Sequence, residues 1–277
     1  VAEDRDHGPT IGEVLASAAT ALTPVSSSPR LDAEVLLAHV LEVDRARLVL
    51  DRNLSLGGHS HERFDRLARR RLRGEPVAYL TGRRGFRFLE LLVDSRVLIP
   101  RPETEELVEV GLMLPAGASV LDVGAGSGAV ALALKYERPD LRVSGVDVSV
   151  EAIAVAERNA TRLSLDVSFI VGDLLENAAR CDAVLANLPY VERDAELPVD
   201  VADFEPPLAL FGGSDGLEVI RRLIGRVAGM SWPGLLALEI GETQGETVAA
   251  LVDGAGFSDV EVRRDLAGRD RVVVGRR

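Results

Sequence analysis

Val120-Leu-Asp-Val-Gly-Ala-Gly-Ser-Gly128 is an apolar run that breaks into Gly-x-Gly-x-Gly ahead of helix-forming residues. Glycines at the end of a buried strand let the backbone take left-handed angles and approach a ligand closely. The spacing predicts a strand over Ser119–Val123 and a helix over Gly128–Glu137. The alternation then continues: strand Arg142–Asp147, helix Val150–Arg162, strand Val167–Asp173 and strand Ala183–Asn187. Beyond a long loop come helix Asp215–Gly229, strand Leu235–Ile240, helix Thr243–Ala255, and the strands Val260–Arg264 and Arg271–Gly275. Unbroken apolar strands between helices predict an α/β, Rossmann-like fold, with helices on both faces of a mostly parallel sheet. The last two strands have no helix between them, so they are expected to pair antiparallel.

Upstream of Gly85 the periodicity is helical. Thr10-Ile-Gly-Glu13 has the form of a capping box, followed by Val14, Leu15, Ala18 and Leu22 on one face. Pro29 suits the first turn of a second helix with Leu31, Val35, Leu36 and Val40 inward. Ser60 is expected to cap a third, with Phe64, Leu67 and Leu72 inward and Arg63, Arg66, Arg69, Arg70, Arg71 and Arg73 outward. Phe86–Val97 reads as a β-hairpin. The expected organisation is a helical domain over 1–84, a hairpin linker over 85–98 and the α/β domain over 99–277.

Composition narrows the chemistry. Of 277 residues, 32 are basic and 44 acidic, for a net charge of −12. Residues 1–85 hold 13 Arg against 12 Asp and Glu, so the acidity lies in the remainder. Lys135 is the one lysine and lies outside any Gly-Lys-Ser/Thr triplet, which excludes a Walker loop. All four histidines fall in the first 61 residues, which disfavours a Ser-His-Asp hydrolase or a zinc-water enzyme further along. No metal site is expected. With one cysteine, Cys181, no internal disulfide can form. Val1–Gly8 is charged and polar, so no secretory signal is expected; the apolar runs fall far short of the ~18 residues of a membrane span, so none is expected, and the expected compartment is the cytoplasm.

Four strand ends carry candidate ligands: Asp122 inside the first, Asp147 ending the second, Gly172-Asp173 ending the third and Asn187-Leu-Pro-Tyr190 ending the fourth. A carboxylate at Asp147 can accept both hydroxyls of a ribose, and Asp173 is placed to meet an adenine edge. NAD is the first alternative, but its fingerprint is Gly-x-Gly-x-x-Gly, and here the third glycine comes one residue early. Asp122 would also sit badly beside a pyrophosphate. It suits the ammonium and sulfonium of S-adenosylmethionine. At Asn187 the side-chain oxygen can accept a hydrogen bond from a planar –NH2, the Leu188 carbonyl can accept a second, and Tyr190 can pack on the flat group. Such a clamp needs no histidine, because it works by positioning.

These motifs resemble those of a class I S-adenosylmethionine methyltransferase acting on planar nitrogen. Gly74-Glu-Pro-Val-Ala-Tyr-Leu-Thr-Gly82, Leu98-Ile-Pro-Arg-Pro-Glu-Thr-Glu105 and Phe204-Glu-Pro-Pro-Leu-Ala-Leu-Phe-Gly-Gly-Ser-Asp-Gly-Leu217 narrow the resemblance to the HemK/PrmC family. These are the protein-glutamine N5-methyltransferases of peptide chain release factors. The resemblance implies a helical domain that grips the release factor, a hairpin linker and a seven-stranded catalytic domain. It also implies methyl transfer to the glutamine of a Gly-Gly-Gln tripeptide, leaving S-adenosylhomocysteine. By it, Gly124, Ala125, Gly126, Ser127 and Gly128 wrap the methionine part of the cofactor. Asp147 with Val148 takes the ribose, and Asp173 and Leu174 flank the adenine. Asn187, Leu188, Pro189 and Tyr190 hold the glutamine amide, with Arg101, Glu103 and Thr104 in a segment closing over the site. A monomer with no direct nucleic-acid partner is expected.

The family pattern is Asn-Pro-Pro-Tyr, and this chain has Leu188 at the second position. Ribosomal RNA adenine dimethyltransferases carry Asn-Leu-Pro-Tyr, so an adenine-N6 enzyme is the runner-up. Those proteins place their extra helical domain after the catalytic one, and RNA binding gains from a basic surface. This chain has its helices first and an acidic α/β part. A cofactor-binding module without activity is a third reading, but it would not need Asn187 and Tyr190 beside the glycine turn.

Overall fold

A computed structural model describes residues 8–277. The absence of a leader read from Val1–Gly8 concerns residues that lie, but for Gly8, outside that range. In chain order the elements are α1 (Ile11–Leu22), α2 (Pro29–Leu41), α3 (Arg45–Leu50), α4 (Gly58–Leu72), α5 (Val77–Thr81), β1 (Arg83–Phe86) and β2 (Leu89–Leu92). A 3₁₀ turn over Pro102–Thr104 leads into α6 (Glu105–Leu112). Then follow β3 (Ser119–Val123), α7 (Ala129–Glu137), β4 (Arg142–Asp147), α8 (Val150–Leu163), β5 (Ser168–Val171) and β6 (Ala183–Ala186). The chain ends with α9 (Val199–Ala202), α10 (Pro207–Leu210), α11 (Glu218–Val227), β7 (Leu235–Glu239), α12 (Gly245–Gly254), β8 (Asp259–Arg264) and β9 (Asp270–Arg276). Two compact units result: one holds residues up to Gly82 plus Pro198–Phe204, the other the rest.

In the first unit the capping box forms. The Thr10 and Glu13 side chains each accept the other's backbone N–H, at 3.2 and 2.8 Å. Four sequence expectations fail here. The third long helix starts at Gly58, with Gly57 at its N-cap, so Ser60 lies inside it and caps nothing. Leu72 is exposed, and so is Leu31 on α2, whereas Arg71 is buried. The reason is periodic: Phe64, Leu67 and Arg71 share one face at i, i+3 and i+7. A buried guanidinium must be satisfied. Arg71 donates to Asp32 Oδ2 at 2.8 Å and to the Gly74 and Val25 carbonyls, and lies 3.9 Å from Asp200 on the returning segment.

The second unit is a seven-stranded sheet of order β5-β4-β3-β6-β7-β9-β8. The first five strands are parallel; β9 pairs antiparallel with both β7 and β8. Helices α6, α7 and α8 cover one face through Leu107, Leu132, Leu134 and Ile153. Helices α11 and α12 cover the other through Ile220, Leu223 and Val248. The β1–β2 hairpin belongs to this unit and buries Phe86, Leu89 and Leu91 in the first layer. It is shorter than Phe86–Val97 and begins earlier, at Arg83. Fully buried Asn159 on α8 ties it to the glycine turn: its side chain accepts from Leu92 N at 2.7 Å and donates to the Leu92 and Ser127 carbonyls. Strand order reverses between β3 and β6, and a crevice at such a reversal is where open α/β sheets bind ligands.

Candidate active site

At the carboxyl ends of β3, β4 and β6 lies a cavity of about 270 Å³. Asp122, Gly124, Ala125, Gly126, Ser127, Asp147, Val148, Asp173, Leu174, Asn187, Leu188, Pro189 and Arg101 line it, so one space gathers most of the residues singled out in the sequence. Gly124 (φ +77°) and Gly126 (φ +54°) take left-handed angles on its wall. A Cβ on Gly124 would stand 3.2 Å from the Asn187 carbonyl, so glycine is what brings the turn against the β6 loop.

Asp147 accepts the Gly126 N–H and the Ser149 N–H, both at 2.9 Å, and so holds the glycine turn to the end of β4. Burial raises its pKa above that of an ordinary carboxyl. Asp122 is 2% exposed, and its Oδ2 accepts the Ala131 N–H at 3.1 Å in the first turn of α7. Burial, with the Asp147 charge adding to it, pushes its pKa up to about 7. A carboxyl so placed in a cavity lacks a cation, and an ammonium or sulfonium meets that need. The donor set therefore fits S-adenosylmethionine. Asp173 is clamped by Arg222 and Arg226, at 2.5 and 2.6 Å. Both arginines use Oδ2, and Oδ1 accepts no hydrogen bond among the described residues. Leu174 beside it has φ +57°, strained for a leucine.

At the end of β6 the Asn187 side-chain nitrogen donates to Thr104 Oγ1 at 3.1 Å, which leaves Oδ1 for a substrate N–H. Tyr190, half-buried, is not among the residues that line the cavity. Its hydroxyl donates to Glu239 Oε1 at 3.3 Å, and its carbonyl accepts from Gln244 at 3.1 Å. Two further expected residues lie elsewhere. Gly128 is absent from the lining; a Cβ on it would meet Phe169 at 2.9 Å, so it serves close packing of helix on sheet. Glu103 is exposed and outside the cavity. Arg101 does reach the lining, where it pairs with buried Glu205, whose other oxygen accepts the Ile99 N–H at 3.2 Å.

Sequence reasoning missed Glu239, Glu205 and Arg222. Glu239 closes the apolar run Leu235-Leu-Ala-Leu-Glu239 at the place on β7 that Asn187 follows on β6, and that position was the available signal. It is 1% exposed; burial pushes its pKa up to about 7 against opposing hydrogen bonds from Thr104 and Tyr190. The Phe204–Leu217 stretch also gains a physical role. A Cβ on Gly212 would collide with the Pro189 carbonyl and one on Gly216 with the Tyr190 carbonyl, so this glycine loop backs Asn187–Tyr190. Among the described residues, no cluster of His, Cys, Asp and Glu could hold a metal, and no helix is long and apolar enough to cross a membrane.

Sheet order, glycine turn and acid-lined crevice together define an α/β methyltransferase of the Rossmann-like class. Similarity supports the same class. A methyltransferase from Pyrococcus furiosus aligns at a TM-score of 0.51 and 16% identity, over 68% of this chain and 88% of that one. The hMettl16 catalytic domain, solved in complex with an RNA hairpin, aligns at a TM-score of 0.56 but 12% identity, over 67% and 74%. Both likenesses show the fold alone. Residues 13–82 match the family described as PrmC N-terminal domain, and residues 104–203 the methyltransferase small domain. The release factor glutamine methyltransferase of Xylella fastidiosa strain Temecula1 is 44% identical over 89% of this chain and 93% of its own length. Those of Neisseria gonorrhoeae and Burkholderia pseudomallei are 41% and 42% identical, over 91% and 94% of this chain and 95% and 97% of theirs. The chain belongs to the release factor glutamine methyltransferase family.

Proposed function

We propose that this enzyme transfers a methyl group from S-adenosylmethionine to the side-chain amide nitrogen of the Gly-Gly-Gln glutamine in peptide chain release factors. The observation that carries this reading is the Asn187 carboxamide, whose nitrogen donates to Thr104 and whose oxygen accepts no hydrogen bond among the described residues. Bound in the cavity, S-adenosylmethionine supplies an electrophilic methyl carried on a sulfonium. Asp122, the Gly124–Ser127 turn, Asp147 with Val148, and Asp173 with Leu174 are the residues that would hold it. Asn187 Oδ1 and the Leu188 carbonyl accept the two N–H groups of the glutamine amide and so aim its nitrogen. With the cofactor bound, its methyl would pass to the aimed nitrogen, leaving S-adenosylhomocysteine, and the surplus amide proton would leave afterwards, so no base of this chain is needed beforehand. Catalysis is positioning and electrostatics. The reading places the reaction in the cytoplasm, on a protein substrate, by a monomer. Mass spectrometry of a purified release factor after reaction tests it: one added methyl on the Gly-Gly-Gln peptide is expected. An unmodified peptide with label in RNA would overturn it.

Two expected outcomes follow from particular positions. Leu188 acts through its carbonyl, which proline keeps, so Leu188→Pro should hold kcat within about threefold of wild type; proline forfeits an N–H and part of a buried side chain, and fixes φ. A folded but inactive variant would show that the leucine side chain or N–H meets substrate. A Gly-Gly-Gln tripeptide offers little to recognise, so binding energy must come from a remote contact. We assign that contact to the helical unit, where Arg66, Arg69 and Arg73 are exposed. Reversing Arg66 and Arg69 to Glu should raise KM for the release factor roughly tenfold and reduce its salt dependence, with cofactor affinity unchanged. An unaltered KM would make these arginines a solvated face.

A further inference from the structure

Tyr190 ends the Asn187–Tyr190 loop, and its backbone is held from the neighbouring strand end. β7 stops at Glu239, beside the end of β6, and the chain turns through Gly241 into α12 with Gln244 as its N-cap. Gln244 is half-buried and is not among the residues that line the cavity. Its side-chain oxygen accepts the Gly241 N–H at 2.9 Å, and its side-chain nitrogen donates to the Tyr190 carbonyl at 3.1 Å. A carboxamide has one end that only accepts and one that only donates. A backbone N–H can only donate and a carbonyl only accept, so these two partners leave the amide one orientation. The turn itself is closed by the Gln244 N–H donating to the Gly241 carbonyl at 3.0 Å, so the side chain starts from a fixed backbone. The glycine loop makes room for the contact, because a Cβ on Gly216 would crowd both the Tyr190 carbonyl and the Gln244 amide. The residue after the loop is fixed too: the Val191 N–H donates to the Leu210 carbonyl at 3.0 Å, and the Val191 carbonyl accepts the Gly212 N–H at 2.8 Å. Aiming a substrate amide needs the Asn187 oxygen and the Leu188 carbonyl in place together, and a shift on the order of 1 Å at such groups costs up to about 10²-fold in rate.

We propose that Gln244 is a positioning residue for methyl transfer: by holding the Tyr190 carbonyl it sets the course of the Asn187–Tyr190 loop, and with it the Leu188 carbonyl that meets the substrate. The inference rests on the role given to that loop above. Gln244→Glu keeps an oxygen for the Gly241 N–H but turns an anionic oxygen, with no proton to donate, on the Tyr190 carbonyl. Its added charge at the start of α12 favours the helix. Gln244→Met removes both hydrogen bonds at similar side-chain length. A merely structural tie makes Gln244→Met the worse variant in melting and in rate alike. Positioning inverts the order in rate, because repulsion displaces the loop further than a missing contact does. Gln244→Glu should melt close to wild type yet lower kcat about 10–30-fold, whereas Gln244→Met should melt lower yet lose only about 3–10-fold. The cofactor Kd by calorimetry and KM for the release factor should stay within about threefold in both, since Gln244 does not line the cavity.

A second readout needs no turnover. Of the three tyrosines, Tyr190 alone precedes a valine, so ¹³C in tyrosine carbonyls with ¹⁵N in valine amides isolates the Tyr190–Val191 peptide by NMR. Its carbonyl signal should shift in both variants. If Gln244→Met fails to fold, Gln244→Glu decides alone, by a slowed kcat at an undiminished Tm. A Gln244→Glu rate within about threefold of wild type, a Gln244→Met variant slower than Gln244→Glu, rises in KM or Kd that match the loss in kcat, or an unmoved Tyr190 carbonyl would overturn the proposal. Wild-type protein that methylates no release factor would instead overturn the function, while the carbonyl signal still tests the contact.

Discussion

Replacing Asn187 by alanine should slow methyl transfer by roughly 10²–10³-fold, the loss typical of removing one preorganised partner of the reacting group. Cofactor affinity should change by no more than a few-fold. The two effects separate because of where the side chain sits. Its nitrogen is held by Thr104 and its oxygen is the group left to receive a substrate N–H, while the cofactor turn touches Asn187 through backbone: the Gly124 Cβ position lies 3.2 Å from its carbonyl. Alanine keeps that carbonyl and the loop, which Gly212 and Gly216 still back. Single-turnover rates beside calorimetric cofactor titration check both halves. A variant retaining a tenth of wild-type turnover would show that the side chain does not aim the nitrogen. A large loss of cofactor affinity would move Asn187 into the cofactor site.

Much of the site was legible because each candidate ends an apolar run. Asp122, Asp147, Asp173 and Asn187 each stand where a buried strand meets a loop, and parallel topology brings such ends to one edge. The strand register confirms the placement, with Asp122 opposite Leu185 on β6 and Gly145 on β4. Glu239 follows Leu238, which pairs with Ala186 on β6, and so stands at the level of Asn187, yet nothing in the sequence pairs it with Tyr190, 49 positions earlier. Contacts set by folding at that separation leave no local pattern. Arg71 was misplaced for a different reason. Hydrophobicity put Leu72 inward, whereas the helical period from Phe64 puts Arg71 there, and Asp32 with three carbonyls makes its burial tolerable. Tyr190 was read as a surface for a planar substrate because an aromatic after Asn-Leu-Pro invites it. The structure adds that its hydroxyl donates to Glu239 Oε1, which ties the end of the loop to β7.

Asp122→Asn should give a protein that melts higher and binds its cofactor worse, and pH separates the two causes. Burial first, and the neighbouring Asp147 charge after it, hold the Asp122 pKa at about 7, against 3.8 for the ordinary carboxyl. Between those values the folded chain keeps a proton that the unfolded chain has lost. Stability therefore falls as pH rises through that window, and the cost is complete above the folded value. Asparagine keeps an oxygen for the Ala131 N–H, now 3.1 Å from Oδ2, without the charge. The variant should melt several degrees above wild type at about pH 8, since 1 kcal/mol shifts Tm by roughly 2–8 °C, and match it near pH 4. Cofactor binding runs the other way. A cationic group is attracted by the ionised carboxyl, so its loss should raise Kd by about 30–100-fold at pH 8, the scale of breaking a buried charge pair. In wild type the proton must leave before the cation binds, so affinity should fall as pH drops below about 7, by up to tenfold per unit. In the variant this component of the slope should vanish. Scanning calorimetry and cofactor titrations at paired pH values measure both. Equal melting at pH 8 with undiminished cofactor affinity would reduce Asp122 to a cap on the first turn of α7, and the cationic ligand would have to be met by other residues of the cavity.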